Sequence, residues 1–228
     1  MRIVLLLITA LISGCTLNSP PQRALRPTVP PRAGEVFLVR GLLGVFSTGM
    51  DELHDQLIAR GVSCVALQHT EGASAAQWII DHHRDDSGPI VLVGNSLGAN
   101  EVVAMATKLE TAKVAVALMV TLDPVTAGPV PDNVRQTSNY YRSQGVLDAL
   151  PVFRGIPLNA RPGSPAVVRN VDLNDHPALL EPATNHFTID KNHRIQQEIL
   201  NQILSVCPPE RDVSGVIRAS ATVAPSGP

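Results

Sequence analysis

Aromatic residues are scarce in this chain of 228 residues: they make up 3%, as one Trp, two Tyr and four Phe. Sugars and polyaromatic compounds are usually held on extended stacking platforms, so substrates of that kind are disfavoured. Charge is sparse as well. Charged residues are 17% of the chain, the net charge is −2 and no basic cluster stands out, which argues against nucleic acid as a partner. Cysteine occurs at only three positions, Cys15, Cys64 and Cys207. No internal repeat is visible. The apolar run from Ile3 to Leu11 is too short to span a bilayer as a mature helix.

That run follows Arg2 and reads as the apolar core of an export signal. It ends in Ile12-Ser13-Gly14-Cys15, which resembles the lipobox of bacterial lipoproteins. The resemblance implies cleavage before Cys15, lipidation of Cys15 on sulfur and on the new amino terminus, and anchoring to a membrane by several acyl chains. Thr16 after the cysteine, where aspartate is absent, implies outer-membrane sorting facing the periplasm of a bacterial cell envelope. An ordinary secretory signal is the alternative. Residues 1–14 are then the signal and 15–34 a lipidated tether, extended by Pro20, Pro21, Pro27, Pro30 and Pro31. Residues 208–228 lack periodicity and read as a disordered tail. Between them, residues 35–207 supply about 170 residues, enough for one domain with a core. Cys64 and Cys207 both fall inside that domain, and their spacing leaves pairing and two separate buried thiols equally open.

Apolar blocks alternate with helical ones along the domain. Strands are expected at Glu35–Val39, Val62–Gln68, Pro89–Val93, Val114–Leu122 and Ala166–Leu173. Helices are expected around Met50, Leu53, Leu57 and Ile58, with Gly61 as a stop, over Ala73–His83, and after Gly98. Asn133–Gln144 reads as a further helix with Asp132 as its N-cap. A final amphipathic helix carries Ile195, Ile199 and Ile203 on one face. Strands apolar on both faces, alternating with helices, predict an α/β fold with a mainly parallel sheet of about five strands covered on both sides.

The most informative stretch is Gly94-Asn95-Ser96-Leu97-Gly98, between the apolar block Pro89–Val93 and the helix-favouring Ala99–Ala106. A strand, G-x-S-x-G and a helix make a nucleophile elbow, a turn so tight that the residues around its serine must be small. The helix that starts there aims free N–H groups at developing negative charge. Ser96 is therefore a candidate nucleophile for acyl transfer; a glycine-rich turn with an inert serine is the plainer reading.

Over residues 35–207 this pattern resembles a small α/β-hydrolase. The resemblance implies that the second strand lies outside the first, and that the acid and then the histidine follow the serine in the chain. It also implies a base in the loop before the final helix, where His186 lies, whereas His176 and His193 are less well placed. The adjacent His82 and His83, beside Asp81, read as a solvated helix end and not as a metal site, His54 sits on a surface helix, and His69 precedes the serine. Leu122-Asp123-Pro124 resembles the acid position of pancreatic-type lipases, with Asp172 and Asp175 as competitors. The oxyanion donors implied are the backbone N–H groups of Leu97 and Leu42, with Leu43 next, although Arg40-Gly41 stands where many relatives have His-Gly. Residues 125–165 read as a cap over the site. The implied activity is hydrolysis of a small acyl ester, thioester or lipid-like substrate through an acyl-enzyme, with no cofactor and no metal. The rival is a non-catalytic lipoprotein that uses the fold to bind an envelope partner or lipid. Oligomeric state is not legible.

Overall fold

The computed structural model describes residues 29–42, 47–84, 87–143 and 155–210. Cys15 with its signal, most of the tether, Leu43, residues 144–154 of the expected cap and the tail beyond residue 210 lie outside the described residues. Among those described, no helix is long and apolar enough to cross a membrane.

The elements run β1 (Glu35–Val39), α1 (Thr48–Ile58), β2 (Ser63–Leu67), α2 (Gly72–His82), β3 (Ile90–Asn95), α3 (Leu97–Thr111), β4 (Leu118–Leu122), β5 (Gln136–Tyr141), β6 (Val167–Asp172) and α4 (His193–Val206), with short 3₁₀ turns at His69–Glu71 and Ile189–Lys191. They build one sheet of order β2-β1-β3-β4-β5-β6. Every neighbouring pair is parallel. The order reverses between β1 and β3, and that is where an open parallel sheet forms its crevice.

Both faces of the central strands are apolar, and each face packs against its own helices. Val36, Leu38, Val91, Val93 and Val120 point towards α1 and α4, where they meet Leu53, Leu57, Ile199 and Ile203. Phe37, Val39, Ile90, Leu92 and Met119 point the other way, towards Ile79 of α2 and Val102, Met105 and Leu109 of α3. Ile195, Ile199 and Ile203 of α4 are all fully buried, as their spacing requires. The helix starts at Asn192, whose side chain accepts the N–H of Ile195 at 3.0 Å. At its far end Arg32 donates to the carbonyls of Leu204 (2.8 Å) and Cys207 (2.6 Å), neutralising the negative end of the helix. Cys64 and Cys207 are free, buried thiols, and burial raises the pKa of both.

The sheet has six strands where about five were expected, and the extra one replaces the expected helix over 133–144. Residues 136–141 form β5, and Asp132 caps no helix; its N–H donates to Glu110 Oε1 at 2.7 Å. Thr137, Tyr140 and Tyr141 favour strand, and no apolar stripe at helical spacing opposes them. What disguised the strand is that its buried residues are polar: Thr137, Ser138 and Asn139 are all buried. Asn139 is paired across the sheet and Ser138 to α4, whereas the Thr137 hydroxyl has no hydrogen-bond partner among the described residues. Thr121 Oγ1 donates to Asn139 Oδ1 (2.8 Å), and Asn139 Nδ2 donates to Asn170 Oδ1 (2.8 Å) and to the carbonyl of Ile156 (2.9 Å). Ser138 donates to Gln202 (2.7 Å) and the Tyr140 hydroxyl donates to Glu198 (2.7 Å), both on α4. The strand expected at Ala166–Leu173 becomes the outermost, β6.

Candidate active site

Ser96 sits between β3 and α3 with φ 54° and ψ −116°, a conformation that a non-glycine residue holds only when its surroundings enforce it. The enforcement is visible in the two glycines. A Cβ on Gly94 would lie 2.2 Å from the carbonyl oxygen of Gly98, and one on Gly98 would lie 2.1 Å from that of Val39. A larger residue at Gly98 would push α3 away from the end of β1, and one at Gly94 would push it away from β3. The Ser96 N–H is fixed to the carbonyl of Leu122 at 2.8 Å, which ties the elbow to the end of β4.

Asp123 follows at that same end. It is fully buried and has φ 46°, and its N–H donates to the carbonyl of Tyr140 at 2.9 Å. Its carboxylate receives the N–H of Arg142 on Oδ1 at 2.9 Å. Gly155 lies against the same oxygen so closely that a Cβ there would approach it to 2.1 Å. The other oxygen, Oδ2, lies 3.2 Å from His186 Nδ1, and His186 Nε2 lies 2.9 Å from Ser96 Oγ. Because a buried carboxylate only accepts, Nδ1 carries the imidazole proton; Nε2 is left with a lone pair facing the serine hydroxyl. Ser96, His186 and Asp123 thus form one hydrogen-bonded line, with the order and orientation needed to draw a proton off the hydroxyl.

The competing residues stand elsewhere. Asp172 accepts from Ser143 Oγ (2.6 Å) and from the N–H of Asn174 (3.0 Å), and Asp175 is exposed. His176 and His193 are exposed, and His193 faces Glu181. His54 is buried beside Asp55, contrary to its expected place on a surface. His82 is exposed and stacks on Trp78. Among the described residues no group of His, Cys, Asp and Glu is arranged to hold a metal ion.

Leu97 opens α3, so its N–H is one of those a helix leaves without an internal acceptor. On the other side of the serine, Gly41 brings the chain after β1 so close that a Cβ there would lie 3.3 Å from Ser96 Cβ. Leu42 comes next and is 55% exposed. Arg40 is buried; its N–H donates to the carbonyl of Leu67 (2.9 Å) and its guanidinium to Asp51 in the first turn of α1.

Three polar residues that support this arrangement carry no motif and were not legible. Ser47 is buried, and its Oγ accepts the N–H of Gly41 (3.0 Å) and Nδ2 of Asn95 (3.1 Å), so one atom joins the arm after β1 to the residue before Ser96. Arg142 donates to the carbonyl of Thr184 at 2.5 Å, fastening the end of β5 to the loop that carries His186. Asp190, buried four positions beyond His186, accepts the N–H of Gly49 at 3.1 Å at the start of α1. Burial raises its pKa from 3.8 to about 6. A separate apolar cavity of about 290 Å³ opens between β1, β2 and α2, lined by Phe37, Val65 and Trp78 among others, and includes none of the residues around Ser96.

Protein-family models give no match to this chain, and neither do curated protein sequences. Solved structures do. A hyperthermophilic esterase from the archaeon Pyrobaculum calidifontis superposes with a TM-score of 0.51 at 16% identity, over 90% of each chain. The type II thioesterase BorB from the borrelidin biosynthetic cluster gives 0.51 at 12% identity, over 82% of this chain and 97% of that one. Est1E from Butyrivibrio proteoclasticus, with ferulic acid bound, gives 0.50 at 9% identity, over 80% and 92%. At such identities the likeness is one of fold. The parallel six-stranded sheet, the helices on both of its faces and these neighbours give the chain the α/β-hydrolase fold.

Proposed function

We propose that the chain is a serine hydrolase acting on carboxylic esters or thioesters through an acyl-enzyme. The observation that carries this reading is the line from Ser96 Oγ through His186 to Asp123, at 2.9 Å and 3.2 Å, on a strained elbow. Ser96 Oγ attacks the acyl carbon while its proton passes to His186 Nε2. Asp123 holds the imidazole in the tautomer that can accept it and stabilises the imidazolium. The N–H groups of Leu97 and Leu42 receive the oxyanion. The Nε2 proton then goes to the leaving oxygen or sulfur, and water repeats the cycle on the acyl group. The fold is shared with an esterase and a thioesterase, which fits an acyl substrate. The amino-acid sequence between Val146 and Leu158, most of it outside the described residues, is rich in apolar residues, which fits an acyl chain of short to medium length. The lipobox-like Ile12–Cys15 supports a membrane-anchored, envelope-facing form of the enzyme.

A fluorophosphonate probe tests the reaction. The folded protein should be labelled, and Ser96→Ala should not be, while both retain the same unfolding curve. Absence of labelling on the wild type, in conditions that label a control esterase, overturns the reading in favour of a non-catalytic binder. Anchoring has its own test: intact-mass analysis of membrane-extracted protein should find an acylated Cys15 as the first residue, and an unmodified Cys15 or a different terminus would refute it.

A further inference from the structure

Only a few large apolar side chains are exposed among the described residues, namely Val29, Leu42, Trp78, Val167 and Phe187. Two of these directly follow Gly41 and His186, residues that approach Ser96. Leu42 is on the arm after β1, and Phe187 is adjacent to His186 with 47% of its surface exposed. In a chain with four Phe, the position of one half-exposed ring beside the base is informative. The ring stands edge-on to the imidazole, with centroids 5.6 Å apart and planes at 84°. Nor does it reach the surface through slack in the loop. The Phe187 N–H donates to Asn185 Oδ1 (2.9 Å), the Asn185 N–H donates to Thr188 Oγ1 (2.9 Å), and the Thr188 N–H returns to the Asn185 carbonyl (3.0 Å). These bonds fix the backbone on both sides of Phe187.

Resting on the serine-hydrolase reading, we propose that Phe187 is the contact surface for the alcohol half of the substrate, and that the preferred substrates are esters of apolar alkyl or aryl alcohols. The reaction sets the direction of each group. When the tetrahedral intermediate collapses, the bond from the acyl carbon to the leaving oxygen breaks, and that oxygen takes its proton from His186 Nε2. To do so it must come within about 3 Å of Nε2. The carbon substituent on the leaving oxygen therefore passes beside the imidazole, within reach of the Phe187 ring. The carbonyl oxygen points the opposite way, towards the N–H groups of Leu97 and Leu42, and the acyl chain takes the remaining direction. Phe187 is thus placed to sort leaving groups and not acyl chains. An apolar alcohol covers the ring and removes both surfaces from water, whereas a methyl or ethyl group is too short to do so.

Rates of hydrolysis of ethyl, butyl and hexyl butyrate test this, because these alcohols ionise alike and differ in apolar length. On the wild type, kcat/KM should rise from ethyl to hexyl by about tenfold. Phe187→Ala should lose most of that rise, and Phe187→Leu should restore much of it. The ratio of ethyl hexanoate to ethyl butyrate should be the same in all three proteins. An equal loss on every ester in Phe187→Ala overturns the proposal, since the ring would then only support the base. A change in the acyl series alone overturns it too. A wild type labelled by fluorophosphonate and active on ethyl butyrate, but indifferent to the alcohol, refutes this proposal and leaves the hydrolase reading standing. A wild type neither labelled nor active refutes both.

Discussion

β1 and β3 are buried through Val36, Leu38, Val91, Leu92 and Val93, whereas β5 is buried through Thr137, Ser138, Asn139 and Tyr140. The two regions adjoin β4 from opposite sides and carry different parts of the candidate site. β3 ends in the elbow and Ser96. β5 receives the N–H of Asp123 on the Tyr140 carbonyl and supplies the Arg142 N–H to its carboxylate. Apolar burial is strong but non-directional, so it fixes that β3 is inside without fixing each atom. The polar strand has less transfer energy to gain, yet each hydrogen bond sets a distance and an angle. The comparison suggests a division of labour: the apolar half holds the sheet together, and the polar half sets where the acid points.

The largest effect is expected at the tightest contact of the apolar half. In Gly98→Ala the new methyl would lie 2.1 Å from the Val39 carbonyl and 2.7 Å from that of Arg40, both backbone atoms that cannot swing aside. A loss on the order of 4 kcal/mol in urea unfolding is expected, with fluorophosphonate labelling lost as well. A loss below about 1 kcal/mol would mean that α3 can retreat from β1, and that the strain at Ser96 is not enforced from there.

A matched pair separates the halves more directly. Leu92→Ala removes a fully buried side chain from β3 and should cost about 3 kcal/mol, with kcat unchanged wherever the protein remains folded. Asn139→Ala leaves the Thr121 hydroxyl without its acceptor and the Ile156 carbonyl without its donor, and should cost about 2 kcal/mol. Unlike Leu92→Ala, it should also lower kcat, because Tyr140, next on the same strand, and Arg142, just past its end, hold Asp123. Equal kcat in the two variants, each measured on fully folded protein, would end the proposed division of labour.

The same contrast explains what the amino-acid sequence discloses. Pro89–Val93, the glycines around Ser96 and the Ile195-Ile199-Ile203 stripe are local patterns whose physical cause lies within a few residues, so their elements were legible. So was the candidacy of Ser96, His186 and Asp123, from an elbow and from chain order. β5 was not, because the partners that satisfy buried Asn139, Ile156, Thr121 and Asn170, lie 17, 18 and 31 positions away. Ser47 and Asp190 fail to announce themselves for the same reason: Asp190 meets Gly49 across 141 positions. A polar residue in a loop looks alike in sequence whether it faces water or a buried amide.

Asp190 lies at the seam where the loop carrying His186 meets α1, and its raised pKa gives the seam a pH signature. The folded state holds the Asp190 proton more tightly than the unfolded chain does, whose pKa is near 3.8 against about 6. This contribution to stability is therefore full at low pH and is lost as pH rises from about 4 to about 6, by roughly 2–3 kcal/mol. Lys191 opposes the shift and Asp51 adds to it. Asp190→Asn keeps an oxygen for the Gly49 N–H and removes the buried charge. It should gain stability relative to the wild type as pH is raised from 4.5 to 7.5, read from urea midpoints at both values. A difference between the two proteins that does not change with pH would show that the carboxyl does not titrate in that window.

The smallest effect is expected at Ser47, and it is the most specific. Its Oγ is the acceptor shared by the Gly41 N–H and the Asn95 amide, on the two segments that border Ser96. Ser47→Ala removes that acceptor from a buried place, so a stability loss of about 1–2 kcal/mol is expected. The informative readout is kinetic. Oxyanion donors act mainly on the tetrahedral species, so an arm held less firmly should lower kcat by about tenfold and leave KM within twofold. Affinity for a boronic-acid inhibitor, which becomes tetrahedral on the serine, should fall in parallel with kcat/KM. If Ser47 served packing alone, Ser47→Ala would unfold earlier yet keep both kcat and boronate affinity at temperatures where it is folded. In that case, the coupling between arm and elbow would rest on the close approach of Gly41 to Ser96 and not on the shared hydroxyl.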